Sequence, residues 1–66
     1  MEVIINKHKF LLLHYRDLGY RKRAFCQKCH ISLRMYDKIM NEQPVPLMTA
    51  ILVAEAFDEE YKTILN

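Results

Sequence analysis

The stretch from Lys22 to Asn41, KRAFCQKCHISLRMYDKIMN, constrains this chain more than any other, because it holds two short helical periodicities separated by almost nothing. Phe25, Cys26 and Cys29 fall at i, i+1, i+4, and Tyr36, Ile39 and Met40 at i, i+3, i+4, so each helix has one apolar face to turn toward the other. The turn between them falls at His30 and Ile31. Ser32 is the expected N-cap of the second of the two helices, its hydroxyl accepting from the backbone N–H of Arg34 or Met35.

The residues left over on that helix are Leu33, Arg34, Asp37, Lys38 and Asn41, spaced to form one stripe opposite the core, polar except for Leu33. A helix of this length fits the major groove of B-DNA, where Arg takes guanine bidentately, Asn pairs with adenine and an apolar side chain meets the thymine methyl. Periodicity alone favours an ordinary solvated face.

Upstream, Val3, Ile4 and Ile5 make a short extended arm, taken as residues 1–5. Asn6 is expected to cap a first helix, with Ile5 and Phe10 stapled across the cap. That helix should run to about Leu18, turn Leu11, His14, Tyr15 and Leu18 inward, and end at Gly19 in the left-handed conformation. The next helix, roughly Lys22 to Cys29, lacks a capping side chain at Arg21. Residues 41–46 read as a turn, since Pro44 and Pro46 both disfavour helix in the residue before them. Leu47 to Phe57 is then a helix with Leu47, Ala50, Ile51, Ala54 and Phe57 inward. Asp58 is expected to cap a short last helix within residues 58–66 that carries Tyr61, Ile64 and Leu65.

The expected fold is therefore all-α: one domain over residues 1–66, a compact bundle of about five short helices with a helix-turn-helix at 22–41. With 66 residues the core is thin, so dimerisation would help, and the arm or the C-terminal segment with Phe57, Tyr61, Ile64 and Leu65 offers the apolar surface for it. No apolar run approaches about 18 residues, and the start lacks the basic n-region of a signal peptide, so the expected location is cytoplasmic, with no membrane association. Charge is uneven: net +2 overall, but six bases against one acid between Arg21 and Lys38, and four acids without a base between Glu55 and Glu60. Such asymmetry suits a chain with one end toward a polyanion.

These residues resemble the phage-repressor and Cro type of helix-turn-helix domain, the XRE family, over roughly Phe10 to Phe57. The resemblance rests on Gly19-Tyr20, Phe25-Cys26-x-x-Cys29-His30-Ile31-Ser32, Tyr36-x-x-Ile39-x-Asn41, Pro46-Leu47 and Ala54-x-Ala56-Phe57. It implies a sequence-specific transcription regulator, repressor-like, that binds double-stranded DNA as a homodimer. It assigns Arg34 and Lys38 to base edges or adjacent phosphates, Leu33 to an apolar base contact, and Ser32, Asn41, Arg21, Lys22 and Arg23 to the DNA backbone. Asp37 either accepts from cytosine or repels phosphate.

The chain departs from the family at three places. His30 stands where the family has Gly and must take a positive φ. Tyr15 and Met40 replace a frequent Arg–Glu pair, a double change that packed apolar groups can absorb. Asn41-Glu42-Gln43-Pro44 replaces a basic, glycine-containing turn, which shifts the phosphate grip toward Arg21, Lys22 and Arg23. With the chain ending at Asn66, control is expected from abundance, a regulatory protein partner or dimerisation.

Three other readings compete. Cys26-x-x-Cys29-His30 matches the attachment pattern of a c-type haem, with Met40 or Met48 as the second axial ligand, but both sulfurs already have places on the apolar face of their helix. A zinc site would need two of His8, His14 and His30 beside the cysteines, without a second close ligand pair. Neither a cofactor nor a metal is expected, nor an enzyme, for no nucleophilic triad, phosphate-cradling loop or carboxylate pair can be assembled. The functional alternative is a helical protein-interaction module of the same fold without DNA binding.

Overall fold

The computed structural model describes residues 1–18 and 21–66, with the backbone alone for residues 16–18. In chain order they form β1 (Glu2–Val3), α1 (Lys7–Leu18), α2 (Lys22–Cys29), α3 (Leu33–Met40), β2 (Val45–Pro46), α4 (Leu47–Glu55) and a short 3-10 helix (Tyr61–Ile64). The chain is mostly helical and compact, with principal extents of 28 × 22 × 19 Å. It is not all-α, and four α-helices with one 3-10 turn replace the expected five helices. β1 and β2 pair antiparallel with Val3 opposite Val45. The prolines that mark 41–46 as a turn also hold the residue before each of them extended, which makes Val45 available for pairing.

α1 starts as its sequence requires. The Asn6 side-chain oxygen accepts from the Lys9 N–H at 3.0 Å, and Ile5 and Phe10 on either side of the cap are both buried. The inward face is rotated from the expected one. Phe10, Leu13 and His14 are buried, Leu11 is half-buried, and Tyr15 is 46% exposed. Phe10 to Leu13 are four consecutive apolar residues, so the pattern carries no phase of its own. The staple supplies it, since once Phe10 is inside, helical geometry brings in i+3 and i+4. The inward position expected for Leu18 and the helix-ending role of Gly19 lie outside the described residues.

Three helix ends share one construction. His30, Glu42 and Asp58 have φ of 58°, 56° and 57°. At each, the next N–H reaches five residues back: Ile31 to the Cys26 carbonyl at 3.0 Å, Gln43 to Lys38 at 2.9 Å, and Glu59 to Ala54 at 2.9 Å. The left-handed residue itself donates three residues back, to Gln27, Ile39 and Glu55 respectively. These are Schellman closures of α2, α3 and α4, built without glycine. Asp58 consequently ends α4 instead of capping the 3-10 helix, which Glu60 precedes without a side-chain cap.

The core is centred on Phe25. Its ring stacks on His14 at 4.5 Å between centroids and on Phe57 at 5.5 Å, and meets Phe10 edge-on at 4.9 Å. α4 contributes Thr49, Ala50, Val53 and Ala54, with Leu47 and Ile51 only half-buried. Val53 escapes a sequence reading because α4 is apolar on nearly every side. The arm and the C-terminal segment are spent inside the chain: Ile5, Phe57 and Ile64 are buried, and Val3, Tyr61 and Leu65 pack against the core. Of the apolar residues expected at a dimer surface, Ile5, Phe57 and Ile64 are therefore withdrawn into the core, while Ile4 is 39% exposed and Val3, Tyr61 and Leu65 are half-buried.

A left-handed conformation strains a residue with a Cβ, and Glu has no short side chain to relieve it. Glu42→Gly should stabilise the domain by about 0.5–1 kcal/mol, the relief being partly offset by the greater freedom of glycine in the unfolded chain. Chemical denaturation of the two proteins measures it, and a lower midpoint for the glycine variant would show that the turn carries no strain.

Candidate nucleic-acid interface

The connection from α2 to α3 takes only His30, Ile31 and Ser32. His30 turns the chain with φ 58° and ψ 40°, and Ser32 is extended with its hydroxyl oxygen accepting from the Met35 N–H at 3.1 Å. The predicted left-handed His30 and the predicted Ser32 cap are both found. Tyr36 and Ile39 are buried and hold α3 to the core. Leu33, Arg34, Asp37 and Asn41 are exposed along its outer side, and Lys38 is half-buried. Asn41 closes the helix, its N–H donating to the Asp37 carbonyl at 3.0 Å.

Arg21, Lys22 and Arg23 are exposed at the start of α2, where no side chain caps the helix. Together with Ala24 and Leu33 they line one open hollow, and Arg23 and Leu33 also border a second hollow with Cys26, Gln27, His30 and Ile31. Leu33 and Arg23 are thus common to both hollows, and the basic cluster lines the first. The structure brings the basic cluster to the first residue of α3. Arg34 and Asn41 extend the exposed surface along the helix, and Lys38 is half-buried. Glu55, Glu59 and Glu60 border a separate hollow with Ile51, Tyr61 and Lys62, while Lys28 of the basic run reaches the ring of Phe57, within the acidic run, at 4.8 Å from its centre.

One contact could not be read from spacing. The Lys22 ammonium donates to the Asp37 carboxylate at 2.8 Å and lies 5.1 Å from the centre of the Tyr36 ring. The hydrogen bond to Asp37 raises the Lys22 pKa above its ordinary value. The partners are fifteen residues apart on different helices, and nothing local signals them. Tyr36, read from sequence as core alone, also provides the face beneath the ammonium.

Both cysteines are free and buried. The Cys26 thiol points at the Ser32 carbonyl at 4.0 Å, a weak tie between α2 and the start of α3. His30 is exposed while Cys29 is fully buried, so the sulfur and imidazole of the C-x-x-C-H sequence lie in different surroundings. Among the described residues no three or more His, Cys, Asp or Glu gather in a way that could hold a metal ion, and no helix is long and apolar enough to cross a membrane. Comparison with protein-family models, curated proteins and solved structures finds no match to this chain.

Burial pushes the Cys29 thiol up to about 12 from 9.0, chiefly because an ionised sulfur would have to leave water. Above pH 9 the unfolded chain loses this proton and the folded chain keeps it. Stability should therefore be steady with respect to Cys29 below pH 9 and fall as pH rises from there. Denaturation midpoints between pH 8 and 10.5 test this against Cys29→Ala, whose own stability, lower at the outset, should fall less steeply over the same range.

Proposed function

We propose that this chain is a sequence-specific DNA-binding transcription regulator of the repressor helix-turn-helix kind, with α3 entering the major groove. The observation that supports it most is the placement of one exposed helix face beside one basic cluster. Tyr36 and Ile39 anchor α3, the stripe of Leu33, Arg34, Asp37 and Asn41 faces outward, and Arg21 to Arg23 flank its first turn. A polyanion laid along that side meets cations at the edge and hydrogen-bonding side chains at the centre, the division of labour between phosphate positioning and base reading.

On this reading Arg34 contacts a base edge near the start of α3, Leu33 meets a thymine methyl, and Lys38 and Asn41 serve the farther end. Arg21, Arg23 and the exposed Ser32 hydroxyl serve the backbone. A reader this small supplies few contacts, so binding as a homodimer to two half-sites about one helical turn apart completes the proposal.

Affinity for random duplex DNA should fall with salt on a log-log slope of about −0.9 for each phosphate neutralised. No salt-sensitive binding at low ionic strength would overturn the reading in favour of a protein-interaction module. Within it, Arg34→Ala should relax preference at one position of a selected site by about 1–3 kcal/mol and leave random DNA little affected. Arg23→Ala should weaken all sequences alike and reduce the salt slope by about one counterion. Site selection with each variant distinguishes them, and unchanged preference in Arg34→Ala would move Arg34 to the phosphate contacts.

A further inference from the structure

The Lys22–Asp37 pair joins the two halves of the proposed interface. Lys22 opens α2 among the phosphate-facing cations, while Asp37 lies mid-way along the outward stripe of α3. Their 2.8 Å contact is exposed, with 45% of the Lys22 side chain and 58% of the Asp37 side chain accessible. Exposed pairs of this kind contribute little to folding. Its consequence therefore lies in what happens when a third charge arrives.

A DNA phosphate beside α2 competes with Asp37 for the same ammonium. If it takes Lys22, a carboxylate without its cation is left facing the groove. There it is repelled by phosphates and by the acceptor atoms of guanine and thymine, and it is matched by the amino group of cytosine. Resting on the DNA-binding reading above, we propose that Asp37 is a specificity-determining residue. It occupies Lys22 in the free protein, and on DNA it is released to accept from a cytosine N4 amino group in each half-site. Sites without that cytosine leave the carboxylate unmatched or keep Lys22 from the phosphate, so the pair suppresses binding to arbitrary sequence.

The test compares wild type, Asp37→Ala, Asp37→Asn, Lys22→Ala and the double variant Lys22→Ala/Asp37→Ala by site selection and by titration of random duplex DNA, with thermal melts to verify folding. Asp37→Ala should bind random duplex about fivefold more tightly, as a freed cation and a removed anion together allow. It should also lose a preference of about tenfold for cytosine at one half-site position. Asp37→Asn should move that preference from cytosine toward adenine, a change that a merely structural role would not produce. Lys22→Ala should weaken random binding more in the Asp37→Ala background than in wild type, because only there is the ammonium uncommitted. Equal losses in both backgrounds, or a selected site identical for wild type and Asp37→Asn, would overturn the inference while leaving DNA binding intact. Absence of salt-dependent binding by wild type would overturn the DNA reading and this inference with it.

Discussion

The stack of Phe25 between His14 and Phe57 is the interaction on which the rest of the domain depends. Those three rings belong to α2, α1 and the end of α4, so one side chain fixes three elements at once. Phe10 and Tyr36 close the cluster edge-on, and Tyr36 brings α3 with it. A domain of this size cannot spread its burial over several layers, and a concentrated aromatic centre supplies much area at few positions. His14 is the compromise within it. Its Nδ1 is buried and has no hydrogen-bond partner among the described residues, so its place rests on ring contacts rather than on polar satisfaction.

The chain ends are held by backbone pairing instead of by bulk. The Asn6 N–H donates to the Ile64 carbonyl at 2.8 Å, Ile5 and Leu65 form an antiparallel bridge, and Leu47 donates to the Met1 carbonyl at 3.0 Å. Met1 and the residues from Ile64 onward thus lie on the same framework that launches α1 and α4. Large apolar side chains remain exposed at Ile4 in the arm and, outside it, at Leu12, Tyr15 and Met48.

Legibility from sequence tracked how local each determinant was. The Asn6 and Ser32 caps, the Lys22–Cys29 helix and the left-handed His30 are set by neighbours within a turn or two, and all were readable. The inward face of α1 differs from the expected one because Phe10 to Leu13 are uniformly apolar; the Ile5–Phe10 staple, itself legible, sets the phase and brings Leu13 and His14 inside. β1 with β2 joins segments more than forty residues apart, each too short to show an alternating pattern. At the proposed interface, the outward positions of Leu33 and Arg34 follow from helix geometry, and those of Arg21 and Arg23 from the family resemblance and the local run of bases. The engagement of Lys22 with Asp37 depends on how α2 and α3 are set against each other, which no spacing along the chain encodes.

The same packing bears on how a nearly neutral chain could grip a polyanion. The net charge of +2 gives little long-range attraction, so any DNA affinity must come from cations placed within a Debye length, about 8 Å, of the phosphates. Of the three at the start of α2, Lys22 is already committed to Asp37 at 2.8 Å. Lys28, farther along α2, lies 4.8 Å from the centre of the Phe57 ring, toward the core side of the helix. Arg21 and Arg23 are then the cations best placed to act without first breaking an ion pair, and both flank Leu33. Non-specific grip is consequently modest on the proposed reading, and a site can be held firmly only by adding contacts along α3. An interface poor in free cations but rich in groove-facing side chains favours discrimination over raw affinity.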